Sequence, residues 1–250
     1  MMTDSKMKSL YFHMGPGFHS KIEALKFSAR FPHVMFLDQP LGLNFAELVT
    51  WAEETIREQA RLSQEPLCLL GHSFGAQLIT HALPKIAEFV GEIRFLNSAY
   101  DSFDCFANLE TTLFPQTAQG PQYWKQQSAT DKMNMIFQLA QNPQMADAYW
   151  HNPAAQAEYM KMAADFPSLD IPAFVVAFSG YLNRKDLLPK PLWQGKVKIY
   201  YSLSDNLIKS FATMQFWKFL FPQVRFTEIP DIGHYGLFES EKLANEFFKT

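Results

Sequence analysis

The sequence predicts a single α/β domain, with a mostly parallel central sheet flanked by helices and interrupted by a helical insertion. Two observations predict this fold class. Over the first hundred residues, short apolar runs alternate with amphipathic stretches, which is the pattern of βα units on a parallel sheet. The strand signal then stops after Tyr100 and resumes at Lys196.

Six short apolar runs, each followed by turn residues, are the predicted strands: residues 9–13, 33–37, 66–70, 93–97, 196–201 and 223–229. Helical spacing predicts helices in the core at residues 20–30, 45–63, 76–83, 207–221 and 236–249. Asn44 precedes one of these helices, and Glu47 follows it by three residues, which predicts a capping box.

The segment from Asp101 to Asp170 contains no convincing strand and is rich in Gln, Asn, Met and aromatic residues. Prolines divide it into several short predicted helices, because proline interrupts a helix interior; they are Pro115, Pro121, Pro143, Pro153 and Pro167.

The apolar run that begins at Pro172 fits either a strand or a helix, and periodicity cannot decide for so short a run. We predict a helix, because proline suits the first helical turn and Phe174 and Phe178 then share one face. The predicted organisation is a core of residues 1–100 and 189–250 with a helical cap of residues 101–188.

Length and composition limit the function classes. A chain of 250 residues with 48% hydrophobic residues can bury a large core without disulfides or metals. The net charge of −3 gives no electrostatic reason to expect nucleic acid or an anionic membrane as partner. Only Cys68 and Cys105 occur, and Cys68 in its apolar run is expected to be a buried free thiol. With no signal peptide and no membrane-spanning run, we expect a cytoplasmic protein.

The strongest chemical signal is Gly-His-Ser-Phe-Gly at residues 71–75. It matches Gly-x-Ser-x-Gly, and it lies between a predicted strand and a predicted helix, the context that this motif requires. A sharp strand-to-helix turn crowds its neighbours, so glycines two residues on either side relieve the crowding. We predict that Ser73 is a nucleophile and that the following helix directs its positive end at a developing oxyanion.

A serine hydroxyl needs a base to take its proton. Downstream, Asp205 follows the strand predicted at 196–201, and His234 follows the strand predicted at 223–229. Both positions come after the carboxyl end of a strand, where open α/β sheets place their sites. We predict that Asp205 is the acid and His234 the base.

Weaker roles are expected for other residues of the same types. Asp186 is the main competitor of Asp205, but it lies eight residues beyond the run at 172–178. Asp38 and Asp231 are expected to serve turns. His72 is expected to pack beside the nucleophile, and structural or surface roles are expected for the remaining histidines, His13, His19, His33, His81 and His151.

Acyl transfer also needs donors for the oxyanion. The backbone N–H of Phe74 is the predicted first donor. The second is expected from the glycine-rich loop after the first strand, where Gly15 permits close approach of a ligand and Met14 is the reserve. Pro16 has no N–H. No dinucleotide fingerprint, P-loop or metal-ligand spacing is present, so no cofactor and no metal are predicted.

Together these residues resemble the α/β-hydrolase superfamily over nearly the whole chain. His-Met-Gly-Pro-Gly at residues 13–17 is similar to the family's His-Gly-x-Pro-Gly oxyanion loop, and residues 36–42 resemble its Asp-x-Pro-x-Gly loop. Met14 departs from the usual glycine. The resemblance implies an α/β-hydrolase fold with a cap and a serine carboxylesterase activity on an acyl ester.

A stretch at residues 184–188, Arg-Lys-Asp-Leu-Leu, resembles one in carboxylesterases that cleave pimeloyl-acyl-carrier-protein methyl ester in biotin synthesis, and lactonases and aromatic-ester hydrolases share it. A carrier-linked ester is therefore one implied substrate. Against it, residues 101–170 hold eight acidic and three basic residues, so an acidic carrier would not be drawn to this surface unless Arg184, Lys185 and Lys190 supply the contact. Ester, thioester and lactone substrates remain open. Carbon–carbon bond hydrolysis or acyl transfer by the same three residues and a catalytically silent binding protein are the other open alternatives.

The cap aromatics and methionines suit an apolar pocket for a medium acyl chain, or they form the core of the cap itself. Met14, Trp124 and Trp150 are the candidate substrate-binding residues, and a small acyl ester is the expected partner.

Overall fold

The computed structural model describes residues 7–167, 169–184, 188–208 and 210–249. Six parallel strands form one sheet in the order β2-β1-β3-β4-β5-β6. The strands are β1 Ser9–Phe12, β2 Val34–Leu37, β3 Leu67–His72, β4 Val90–Leu96, β5 Lys196–Ser202 and β6 Arg225–Ile229. All six lie at the predicted apolar runs, and the predicted fold class is confirmed.

Helices cover both faces of the sheet and form the insertion between β4 and β5. The core helices are α1 Lys21–Phe27, α2 Phe45–Ser63, α3 Phe74–Ile86, α9 Ser210–Leu220, α10 Gly236–Glu239 and α11 Glu241–Phe248. The inserted helices are α4 Ser102–Leu113, α5 Gly120–Gln126, α6 Ala129–Ala140, α7 Pro153–Ala163 and α8 Ile171–Leu182. Short 3₁₀ turns occupy Ala87–Phe89 and Asp147–Tyr149.

Local signals explain several element boundaries. Asn44 caps α2, and its side chain and that of Glu47 bond each other's backbone N–H, as the predicted capping box requires. The ambiguous run at Pro172 is helical, with proline in the first turn of α8. The helix predicted over 236–249 is instead two helices, because the Ser240 side chain accepts the N–H of Leu243 and starts α11 there.

The core has one apolar layer on each side of the sheet. Phe27 of α1 and Phe247 of α11 pack with Tyr11 and Leu70 on one face. The other face packs against α2, α3 and α9, with Trp217 fully buried. Free Cys68 is buried as expected, and burial raises the pKa of its thiol to about 11. Among the described helices, none is both long and apolar enough to cross a membrane.

The strand order positions the site. The chain places β2 on one side of β1 and β3 on the other, so the direction of winding reverses between β1 and β3. In open parallel sheets, ligands bind outside the carboxyl ends of the strands at such a reversal. The loops after β1, β3, β5 and β6 all leave from this edge.

Candidate active site

Ser73 lies at a strained turn between β3 and α3, with φ 51° and ψ −115°. A non-glycine residue with positive φ is uncommon, and such strain concentrates at functional sites. The flanking glycines have no room for a side chain: a Cβ on Gly71 would lie 2.8 Å from Ala76, and one on Gly75 would meet the carbonyl oxygens of Phe12 and His13. The turn therefore holds the half-buried Ser73 at the carboxyl edge of the sheet.

Asp205 and His234 form a buried pair. The Asp205 Oδ2 atom lies 2.7 Å from His234 Nδ1. The other carboxylate oxygen of Asp205 accepts the backbone N–H groups of Leu207 and Ile208, at 2.8 and 3.2 Å. Because a carboxylate oxygen accepts, Nδ1 donates to it, and Nε2 is left as the ring nitrogen able to take a proton.

One cavity, of about 60 Å³, brings Ser73 and His234 together. Its wall is largely apolar. The other lining residues are Met14, Gly15, Pro16, Phe18, Phe74, Ser102, Cys105, Phe106, Tyr149, Phe174, Phe178 and Leu207. The predicted oxyanion donors Gly15 and Phe74 thus lie at the same cavity as the predicted nucleophile and base. The reserve residue Met14 is also in the wall.

The loop that carries Gly15 is held by buried hydrogen bonds. The His13 Nδ1–H donates to the carbonyl oxygen of Met14 at 2.7 Å, and the Gln39 backbone N–H donates to His13 Nε2 at 3.2 Å. Burial lowers the pKa of His13 to about 4, so the ring stays neutral and keeps this tautomer. Gly15 itself has φ 54°, which suits glycine.

Two predicted pocket residues, Trp124 and Trp150, are not in the wall of this cavity. Trp124 is fully buried among the cap helices, and its Nε1–H donates to Glu110 Oε2 at 2.9 Å. The Trp150 ring stacks on Tyr235, with ring centroids 4.4 Å apart. The structure does not bring these two side chains to the predicted nucleophile. The sequence shows that a side chain is apolar, but it does not show which way the folded backbone directs that side chain.

Asp38 and Asp231, which compete with Asp205 for the role of acid, are not among the residues that line this cavity. Asp38 accepts the backbone N–H and hydroxyl of Ser20, at 2.7 and 2.9 Å, and so serves the start of α1. Asp231 is exposed at a left-handed turn with φ 57°. Asp186 lies outside the described residues.

Sequence reasoning missed Asn97, which follows β4 with φ 44°. Its Oδ1 accepts the Ser202 N–H at 2.8 Å, and its Nδ2 lies 3.0 Å from the carbonyl oxygen of His234 and 3.1 Å from that of Gly233. Asn97 therefore ties the end of β5 to the histidine loop. The sequence placed Asn97 only at the end of the strand predicted at 93–97, and nothing else in the sequence marked it.

His72 also does more than the predicted packing. Its Nε2–H donates to the carbonyl oxygen of His234 at 3.0 Å. On the other side, the Tyr11 hydroxyl lies 3.5 Å from both His72 Nδ1 and Glu23 Oε1. Burial, followed by the proximity of His234, lowers the pKa of His72 well below its usual value, so the ring is neutral.

Glu23, at the end of this chain of polar groups, is 3% exposed, and its Oε2 atom has no hydrogen-bond partner. Burial raises its pKa from 4.5 to about 7. The folded protein holds the Glu23 proton more tightly than the unfolded chain does. The stability that the protonated carboxyl contributes is therefore fully present below pH 4.5 and is lost as the pH rises through about 7.

We expect Glu23→Gln to raise the free energy of unfolding at pH 8 by about 2–3 kcal/mol and to change it little at pH 5. Urea denaturation at the two pH values measures this difference. Exposed Glu54→Gln is the control and should change neither value. An equal effect of Glu23→Gln at both pH values would show that Glu23 is ionised in the folded protein throughout this range.

Within the described ranges, no group of three or more His, Cys, Asp or Glu side chains is arranged to hold a metal ion. The described residues place Ser73 at the same cavity as the ring of His234, which is paired with Asp205.

Comparison with known proteins decides the family. A family model for the alpha/beta hydrolase fold matches residues 13–241. The chain belongs to the α/β-hydrolase family. The search of curated proteins found no match.

Solved structures of other proteins share the fold of this α/β hydrolase at low sequence identity. A proline iminopeptidase-related protein from Thermus thermophilus has TM-score 0.69 and 17% identity, covering 98% of this chain and 88% of its own. A thermophilic esterase from Thermogutta terrifontis has TM-score 0.62 and 16% identity, with the same coverages of 98% and 88%. A serine hydrolase from Cycloclasticus zankles has TM-score 0.62 and 13% identity, covering 98% and 89%.

Proposed function

We propose that this α/β hydrolase is a serine carboxylesterase that cleaves short, uncharged acyl esters through an acyl-enzyme. The observation that carries the proposal is the buried Asp205–His234 pair, 2.7 Å apart, at the cavity that also holds the strained Ser73. Esterases and a serine hydrolase among the structural neighbours are consistent with it.

In the proposed reaction, the Ser73 hydroxyl oxygen attacks the ester carbonyl carbon while His234 Nε2 takes the hydroxyl proton. The N–H groups of Phe74 and Gly15 stabilise the oxyanion. His234 then gives the proton to the departing alkoxide, which leaves as the alcohol. Water, activated by the same histidine, hydrolyses the acyl-enzyme and restores Ser73. Asp205 holds the imidazole in the required tautomer.

The size and polarity of the cavity support the substrate class. The described residues that line it include no Asp, Glu, Lys or Arg, which favours an uncharged acyl group. Its volume of about 60 Å³ is well below the roughly 150 Å³ of an apolar cavity that holds benzene. We therefore narrow the medium acyl chain predicted from the sequence to a short one.

The alternatives are less well supported. A pimeloyl chain is long for this cavity, and the acidic cap would repel an acidic carrier protein. A catalytically silent binding protein would not need a strained serine beside a buried acid–histidine pair. Thioesters and lactones of similar size would fit the same residues, and they should be tested as substrates together with the esters.

We expect kcat/KM for p-nitrophenyl esters to be highest between acetate and butyrate and to fall for longer chains. Each methylene that is buried should improve kcat/KM by up to about fourfold until the cavity is full. Phe106→Ala should move the optimum to a longer chain, since Phe106 is in the wall.

Phe114→Ala is the matched control. Phe114 directly follows α4, the helix that contains Phe106, but it is 38% exposed and lies outside this cavity. It should leave the preference unchanged. The cavity would not be the acyl site if Phe106→Ala folded normally and kept the wild-type chain-length profile.

A further inference from the structure

A short piece of the cap lies directly on the two loops that carry Asp205 and His234. We call residues 148–152 the cap strap. The Tyr149 carbonyl oxygen accepts the backbone N–H of His234 at 2.8 Å. On the other loop, Asn206 Nδ2 donates to the carbonyl oxygen of Ala148 at 2.9 Å. The strap therefore touches both loops of the proposed acid–base pair.

Glu239 joins the strap to the histidine loop. Its Oε1 atom accepts the Gly233 N–H at 3.1 Å, and its Oε2 atom accepts the Asn152 N–H at 2.9 Å. The His151 N–H lies 3.2 Å from both oxygens. One carboxylate thus satisfies three backbone donors from two chain segments, and hydrogen bonds to a charged acceptor are the stronger kind.

The two segments meet without spare room. A Cβ on Gly233 would lie 2.8 Å from the Tyr149 carbonyl oxygen, 2.8 Å from the His151 nitrogen and 2.9 Å from Glu239 Oε1. Only glycine allows this approach, because every other residue would push the strap away. The position of the strap and that of the residue before His234 are therefore linked.

The strap also contacts the imidazole itself. The Tyr149 ring stands edge-on to the His234 ring, with centroids 5.5 Å apart and an angle of 82° between the planes. Tyr149 lies in the wall of the catalytic cavity as well. Displacement of the strap would release the N–H of His234 and one side of its ring together.

We propose that Glu239 is a positioning residue: by clamping the cap strap to the histidine loop, it holds the His234 imidazole where it can take the proton of Ser73. This rests on the proposed esterase function. Misplacement of a catalytic group by about 1 Å can cost about 10²-fold in rate. Glu239 is not among the described residues that line the cavity, so its effect should fall on kcat rather than on binding.

The test compares Glu239→Gln and Glu239→Ala in the full-length protein. Glutamine keeps the size but presents an NH₂ group to an N–H donor, and alanine removes both acceptors. With p-nitrophenyl acetate, well below the melting temperature, we expect kcat to fall about tenfold for glutamine and about 100-fold for alanine, with KM within about threefold. The rate of labelling by a fluorophosphonate should fall in parallel.

Glu241→Gln is the matched control, since this carboxylate is two residues away and its side chain is 87% exposed. It should keep wild-type kcat. If Glu239→Ala does not fold, Gly233→Ala disturbs the same contact from the other side and should also lower kcat. Folded Glu239→Gln and Gly233→Ala variants with wild-type kcat would overturn the proposal. Failure of the esterase function itself would show differently, as absence of Ser73-dependent turnover in the wild type.

Discussion

Ser73→Ala is expected to lower kcat for p-nitrophenyl acetate by about 10⁶-fold, the scale of loss when a serine nucleophile is removed. Without the hydroxyl, no acyl-enzyme can form, and only water attack assisted by the oxyanion donors remains. Steady-state hydrolysis, corrected for the spontaneous rate, measures the loss. Alanine should fold normally, because it lacks only the hydroxyl, although it inherits the strained backbone of this turn.

Ser102→Ala is the control for Ser73→Ala, since Ser102 is the second serine among the described residues that line the cavity. It should retain most of the activity. Loss of activity in Ser102→Ala with retention in folded Ser73→Ala would remove Ser73 from the proposed role.

Asp205→Asn is expected to lower kcat by about 10⁴-fold. The Asp205 Oδ2 atom faces His234 Nδ1 at 2.7 Å, and the Oδ1 atom is occupied by two backbone donors. In the asparagine variant, those N–H groups keep the amide oxygen, so the amide NH₂ faces the ring. The ring must then accept at Nδ1 and carry its proton on Nε2, which is the wrong tautomer for a base.

Steady-state kinetics of Asp205→Asn and Asp186→Asn separate the two candidate acids. Asp186→Asn should keep most of the wild-type kcat. A large loss confined to Asp186→Asn would move the acid to that residue and leave the Asp205–His234 pair without a catalytic role.

The fold could be read from the sequence because its strands are short, apolar and followed by turn residues. The ends of these strands also pointed to Ser73, Asp205 and His234, since each follows the carboxyl end of a strand and such ends share one edge of the sheet. Chain order and residue type were enough to select these three. Their relative geometry is a product of tertiary structure.

The pocket could not be read in the same way. Trp124 and Trp150 fit an apolar wall as well as Phe106 and Phe178 do, and only packing separates the two pairs. The polar side chains that support the histidine loop could not be predicted from the sequence either, for a related reason. Asn97 bonds atoms more than one hundred residues away, and no local pattern marks such a contact.

The proposed function requires that Ser73 is a nucleophile activated by His234. Covalent labelling with a fluorophosphonate, followed by peptide mapping, tests this requirement, because the probe reacts with an activated serine whatever the natural substrate is. We predict a single adduct on Ser73 that is lost in Ser73→Ala and strongly slowed in His234→Ala. Labelling at another residue, or labelling that persists unchanged in Ser73→Ala, would contradict the claim.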